Sequence, residues 1–339
     1  RLEARMASGM TRAGGDCMRI GELSFNRRDI VPEDQSEVLA LHNRVFGANA
    51  TAAWFRWKYG DGGAQATGLW DERGRLLALC GGTPRTLLHA GQAVAAIQLG
   101  DVMVAPEVRG LLTRRGPFFQ VSRHFYESRI GAARPFQVGF GFASKRHVRL
   151  AIALHLAWNE GTLQSIQWWD LAGHPPWGWR CEPLEPASFE RAATEAWQAM
   201  QEGMSGLSAG CRDIAYLQHR FLARPGYAYR LFRIRRSWSR RTSGILVLRL
   251  QGETAHWLDW IGPPEEIGLA ARIAQIQAAA AGAQAMTLWA STAICESLKV
   301  PPSEESTVAW VGIPCVSMLR EEDASRRKWW WMGGDTDFL

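Results

Sequence analysis

The feature that most limits how this chain can fold is a short block of residues that occurs twice. Trp54-Phe55-Arg56-Trp57-Lys58-Tyr59 has a counterpart in Tyr216-Leu217-Gln218-His219-Arg220-Phe221: aromatic, apolar, polar, aromatic-like, basic, aromatic. Before the first block, Val38, Leu39, Leu41, Val45 and Phe46 recur at helical spacing, so Pro32 to Phe46 reads as an amphipathic helix stopped by Gly47. Thr51 can cap a second, short helix that carries the block. The period then changes. Ala66–Trp70 and Leu76–Cys80 are strand-like arms around the turn Asp71-Glu72-Arg73-Gly74, and Ala90-Gly91 separates Arg85–His89 from a long strand over Val94–Val104. A loop, a helix from Pro117 to Ile130, a strand over Phe136–Phe142 and a helix from Lys145 to Leu156 complete this half. The second block is followed by strands at Tyr227–Ile234, Gly244–Leu250 and Ala255–Ile261. A helix over Pro264–Ala281, a strand over Ala285–Ala290 and a short helix come next, and Ala290-Ser291 echoes Ala143-Ser144. A repeated block within a repeated element order predicts a duplicated α/β (α+β) unit, each copy a mixed, mostly antiparallel sheet flanked by helices.

A chain of 339 residues is comfortable for two such units. The expected division is 21–165 for the first, 166–205 for a connecting arm, 206–320 for the second and 321–339 for a tail. The arm is placed on Asp170 to Glu185, which is rich in Pro, Gly and Trp. Residues 1–20 read as an unstructured or vector-derived segment with Met18 as the expected start, since hydrophobic patterning begins just after it.

Hydrophobic residues at 47% and charged residues at 21% suit a core-forming protein, and no run of 18 apolar residues predicts a membrane span. The N-terminal residues show no secretory pattern. Cys17, Cys80, Cys181, Cys211, Cys295 and Cys315 are scattered without a Cys-x-x-Cys pair. That predicts free thiols in a reducing cytoplasm and no zinc site. A formal charge of +6 could suggest nucleic acid, but no recognition signature accompanies it, and an anionic small-molecule cofactor accounts for it equally well. No nucleic acid or membrane partner is expected. The seventeen tryptophans are expected mainly in the core, with sugar stacking the sharper reading for exposed ones.

The candidate site lies after the long strand. Arg109-Gly110-Leu111-Leu112-Thr113-Arg114-Arg115-Gly116 joins it to a helix opening at Pro117, where a missing N–H costs nothing. Unpaired N–H groups and the positive helix end converge there, and Arg109, Arg114 and Arg115 can fork onto phosphate oxygens. A solvated basic loop is the plainer alternative.

Val102-Met103-Val104-Ala105-Pro106-Glu107-Val108-Arg109-Gly110 resembles the fourth strand and phosphate loop of the GNAT superfamily of N-acetyltransferases. Trp54…Trp57-Lys58-Tyr59, Gly100-Asp101-Val102-Met103-Val104 and Leu112-Thr113-Arg114 are similar to a bacterial subgroup with two tandem GNAT-like domains. The resemblance implies a coenzyme A site at Val102, Met103, Val104 and residues 109–116, and direct acetyl transfer from acetyl-coenzyme A to an amine. Counting from Arg109, the later glycine positions of the family loop hold Leu112 and Arg114. A short deletion would instead align Leu111–Arg114 with the subgroup loop, leaving Gly110 and Gly116 as the flexible points. In the second half Trp260-Ile261-Gly262-Pro263-Pro264 takes the equivalent place, and its two prolines remove donors.

For proton transfer the candidates are Asp101 on the strand, and His147 and His155 on the helix after the fifth strand. The family's tyrosine on that helix is absent between Lys145 and Glu160. Ser144 is expected as that helix's cap. The acceptor is expected to be a small-molecule amine such as an amino sugar, with a peptide amine equally allowed, and the second domain is expected to close over the first within one chain or through a homodimer. A catalytically inactive GNAT-fold binding or assembly module is the alternative, motivated by the missing tyrosine and altered glycines.

Overall fold

The computed structural model describes residues 16–20, 23–110, 113–171, 173–174, 176–299, 311–317 and 328–339. The first half runs β1 (Asp16–Ile20), β2 (Leu23–Asp29), α1 (Gln35–Phe46), α2 (Ala52–Phe55), β3 (Gln65–Trp70), β4 (Leu76–His89), β5 (Gln92–Val104), α3 (Pro117–Arg129), β6 (Val138–Gly141), β7 (Ala143–Ser144), α4 (Lys145–Ala153) and β8 (Trp158–Trp168). The second half runs β9 (Trp179–Pro183), α5 (Phe189–Glu202), β10 (Leu207–Gly210), α6 (Ile214–Leu217), β11 (Arg230–Arg236), β12 (Gly244–Gln251), β13 (Thr254–Ile261), α7 (Ile267–Ala280), β14 (Ala285–Ser291), α8 (Thr292–Leu298), β15 (Val311–Ser317) and β16 (Lys328–Trp330).

Both halves order their strands alike, β2-β3-β4-β5-β6 in one and β9-β11-β12-β13-β14 in the other. Each is antiparallel except at the last step, where β5 meets β6 and β13 meets β14 in parallel. That step is bridged by a helix, α3 in the first half and α7 in the second, as a parallel connection requires. The halves join edge to edge through an exchange. β15, from the second half, pairs with β6, and β8, from the first, pairs with β14, while β15 and β8 pair with each other. One continuous sheet results, with helices against it.

The duplication therefore reaches further back than the repeated block. Residues 166–205 are not a separate arm, because β9 pairs with β11 and α5 buries Phe189, Ala192, Ala193, Ala196 and Met200 in the second core. Their spacing follows one face of a helix. Asp16–Ile20, within the segment expected to lack structure, forms a hairpin with β2.

The tail is likewise built in. β16 pairs in parallel with β10, which also pairs with the far end of β4. Trp330 and Trp331 are among the largest fully buried side chains. Trp331 stacks on Phe140 at 4.9 Å and on Trp329 at 5.1 Å. Glu160 on β8 accepts from the indoles of half-buried Trp158 at 2.6 Å and buried Trp329 at 2.9 Å, so one carboxylate satisfies the polar edges of both rings. No helix among the described residues is long and apolar enough to cross a membrane.

Candidate active site

β5 and β6 stay paired from Ala96↔Val138 to Leu99↔Gly141 and then part. β7 turns away to pair with β15, while β5 runs on against β4 alone. A cavity of about 680 Å³ opens in the split, lined by Leu99 to Val102 on one side and Gly141 to Ser144 on the other. α1 and the loop after it supply His42, Phe46 and Thr51; the second half supplies Arg224, Tyr227, Asp337 and Phe338. The second half therefore closes the cavity within one chain.

The floor is set by a bulge. Leu79 pairs with Met103 and Gly81 with Gly100, so β5 carries an extra residue, and Asp101 takes a left-handed φ of +46° there. Its carboxylate accepts from Lys58 Nζ at 2.8 Å and from Tyr59 Oη at 2.8 Å. Thr51 caps α2 through the Trp54 N–H, and the chain continues as a wide π-helical turn over Arg56–Asp61 that carries Lys58 and Tyr59 to this point.

Lys58 Nζ also donates to Asp337 Oδ2 at 2.7 Å. A Cβ at Gly100 would lie 2.7 Å from the same oxygen. Glycine thus lets the Asp337 carboxylate rest on the strand.

The electrostatics follow from this enclosure. Burial alone would lower the Lys58 ammonium, but Asp101 and Asp337 outweigh it and hold it up at about 12. Burial would raise Asp337, yet Lys58 pulls it below the usual carboxylate range, so it stays ionised. Burial and the Asp101 charge both push Tyr59 up, keeping it a neutral donor. His42, against Trp54 at 4.5 Å and Phe46 at 4.9 Å, is lowered chiefly by burial and is neutral at pH 7.

Among the residues expected from sequence, Asp101, Val102 and His147 line the cavity. His147 is lowered by burial, meets Phe118 edge-on at 5.2 Å, and its N–H is capped by Ser144. His155 does not belong to the site. It is exposed beyond the end of α4 in a left-handed conformation, φ +55°, where it closes the helix. Met103 points into the core by strand alternation. Arg109 donates through Nε to Val104 O at 2.8 Å, which folds it back on β5. Gly110, Thr113, Arg114 and Arg115 lie in the exposed loop, and Leu111 and Leu112 fall outside the described residues. Gly116 is the N-cap of α3, with Pro117 following and no side chain capping the helix.

His42, Lys58, Tyr59, Trp54, Asp337 and Tyr227 escaped the reading as site residues. Lys58 and Tyr59 carried a signal, since they sit in the repeated block. Asp337 carried none, because it meets Lys58 across 279 positions of chain.

These residues fit a coenzyme-A-type group. Beyond Leu99 the β6-facing edge of β5 has no ladder partner among the described residues, so its amides can pair with a ligand. The uncapped N-terminus of α3 presents first-turn N–H groups suited to phosphate.

The second half repeats the split. β13 and β14 are paired up to Trp257↔Leu288, two residues before Asp259 and three before Ser291, as Leu99↔Gly141 is to Asp101 and Ser144. Here the space is filled by the chain itself. Ser291 N donates to Trp331 O at 2.9 Å and Ala290 bridges to Met332. Arg212 holds Asp259 at 2.8 Å and Asp335 at 2.6 Å, and Tyr216 Oη donates to Gly334 O at 3.0 Å. A Cβ on Gly334 would lie 2.9 Å from Leu258 O.

Residues 26–145 match the family model described as an acetyltransferase (GNAT) domain. No curated protein sequence matches the chain. Solved structures are similar in fold. A GCN5-related N-acetyltransferase from Kribbella flavida superposes with TM-score 0.59 at 14% identity, over 86% of this chain and 70% of that one. Saccharomyces cerevisiae N-myristoyltransferase, solved with bound myristoyl-CoA, gives TM-score 0.55 at 11% identity over 89% and 84%. A probable N-acyltransferase from Enterococcus faecalis gives 0.58 at 14% identity over 78% of this chain, but only 64% of that protein's length is covered.

Proposed function

Residues 26–145 belong to the GNAT superfamily of acetyltransferases, and from that premise we propose that the chain is an acyl-coenzyme-A-dependent N-acyltransferase. In this reading it moves an acetyl group to a primary amine of a small molecule or amino sugar, in a reducing cytoplasm. The observation that carries the reading is the contrast between two equivalent clefts. The split beside β5 holds an open cavity, whereas the split beside β13 is filled by Trp331 to Asp335.

Bound coenzyme would supply the acyl group as a thioester. The free edge of β5 around Val102 would orient the acyl carbonyl and polarise it with a backbone N–H. The loop Arg109–Gly116 and the α3 N-terminus would take the pyrophosphate. Asp337, ionised and partly exposed in the cavity, would hold the incoming ammonium. His42, neutral and facing the same cavity, would accept the proton as the amine attacks. Asp101 is tied by Lys58 and Tyr59, and its part is to fix that pair.

Release of free thiol from acetyl-coenzyme A with a panel of primary amines tests this. Turnover with at least one amine, abolished by Ala143→Trp, is the expected result. Coenzyme binding without turnover on any amine would point instead to a binding or assembly module.

A further inference from the structure

A second, polar cavity lies within the second half, shares no lining residue with the first, and plays no part in the acyl-transfer reading. It measures about 340 Å³ and is lined by Arg191 of α5, Arg233 and Arg235 of β11, and Ser237, Trp238, Ser239 and Arg240 of the turn that follows. Four arginines therefore line a space about the size of a small ligand's polar head.

The arginines are held in place rather than splayed. Arg233 Nε donates to Thr242 Oγ1 at 2.9 Å, its Nη2 donates to Arg240 O, and Thr242 is itself 1% exposed. Arg235 donates through Nη1 to Ser239 O at 3.1 Å and pairs through Nη2 with Glu182. Arg233 and Arg235 are two apart on one strand, so they stand on the same side. Neither Arg191 nor Arg240 has an ion-pair partner among the described residues, and Glu195, one turn from Arg191, is engaged by the Thr242 N–H at 2.7 Å. Four arginines are set against the two nearby carboxylates of Glu182 and Glu195, so the local charge is net positive.

Concentrating four cations around a concave site has an electrostatic cost that a bound anion relieves. Planar guanidiniums with two serine hydroxyls match the oxygens of a tetrahedral oxyanion better than a single carboxylate. At the lip, Trp238 is 69% exposed, and Trp177, 91% exposed, lies 6.2 Å from it. Two tryptophans left in water beside a basic pocket give an apolar shelf for whatever carries the anion.

We propose that this pocket is a second, independent anion site that takes a phosphate monoester or diphosphate group through Arg191, Arg233, Arg235 and Arg240, with Trp238 covering the carrier. The phosphate could be that of a soluble metabolite or of a lipid headgroup, since the recognising chemistry is the same.

The test is a calorimetric titration of inorganic pyrophosphate into the Ala143→Trp protein, whose filled β5 cleft drops out of the measurement without adding a second phosphate ligand. That protein should bind at one site. The double variant Arg191→Gln/Arg240→Gln changes two exposed side chains, so it should melt like wild type, retain acyl-transfer turnover and, combined with Ala143→Trp, bind pyrophosphate at least tenfold more weakly. Co-sedimentation with vesicles of acidic phospholipid, set against neutral vesicles, separates the sources: binding lost in the double variant assigns a lipid phosphate, and no sedimentation alongside pyrophosphate binding assigns a soluble one. No pyrophosphate binding by the folded Ala143→Trp protein, or binding unchanged when the double variant is added to it, would overturn the proposal.

Discussion

The indole of Trp57 and the imidazole of His219 lie face to face, centroids 4.9 Å apart with 7° between their planes. They occupy the same position in the two copies of the repeated block, and Trp57 Nε1 donates to His219 O at 2.8 Å. Equivalent residues meet at a pseudo-two-fold axis, so this stack marks where the halves are joined. Their neighbours in the block then diverge. Lys58 reaches the open cleft, while Arg220 binds the carbonyls of Gly334 at 3.0 Å and Thr336 at 2.9 Å beside the filled one.

Removing the stack should loosen the junction. Trp57 is buried, so Trp57→Ala loses its packing, its hydrogen bond and the ring contact together, at a cost of about 3–5 kcal/mol. Urea denaturation checks this. A midpoint unchanged from wild type would show that the axis contact is dispensable.

Arg212 is fully buried between Asp259 and Asp335. Arg212→Met would leave buried Asp259 without its ion-pair partner and Asp335 with only Arg85 at 3.4 Å, and the expected loss of stability is about 3–5 kcal/mol. Reverting part of it with Asp335→Asn in the same chain would identify the stranded charge as the cause. No recovery in the double variant would assign the loss to packing.

The proton-transfer assignment has a pH signature. Activity needs neutral His42, so kcat/KM should hold at neutral pH and fall as pH drops through a value below the ordinary 6.5. His42→Gln should lower kcat/KM by roughly 10²–10³-fold and remove that acid limb. Asp337→Asn should weaken acceptor use while leaving coenzyme binding intact. His155→Ala should leave turnover unchanged, because His155 lies outside the cavity. An acid limb that survives in His42→Gln would transfer the role elsewhere, with His147 next in line.

Stability should also decline on mild acidification. His42, His124, His147, His219 and His256 are all lowered in the fold, chiefly by burial. Below about 6.5 the unfolded chain binds these protons first, which favours unfolding until the folded values are passed. Melting temperature should therefore fall between pH 7 and pH 5. A flat profile across that window would mean the histidines are not shielded as the packing implies.

The legible parts of the fold were those with local signals. Val38, Leu41 and Val45 announced α1, Asp71–Gly74 its hairpin, and the repeated block its pseudo-symmetry. The strand exchange of β8 and β15 was not legible, because both choices of partner present the same alternation. Residues 166–205 misled because the Pro, Gly and Trp of 170–185 outweighed the helical face from Phe189 to Met200. Of the site, Asp101, Val102 and His147 were legible only through the family resemblance, which directs attention to the long strand and to the helix after the fifth strand. His42 read only as part of an amphipathic helix, and Asp337 depends on a contact across most of the chain.

The central claim is that one of two equivalent clefts is open to an acyl-coenzyme A and the other is closed by the chain itself. Isothermal titration of acetyl-coenzyme A measures this directly. The account predicts one site per chain for the wild type and none for Ala143→Trp, which fills the β5 cleft. Two sites per chain, none in the wild type, or binding that persists in a folded Ala143→Trp protein would contradict it.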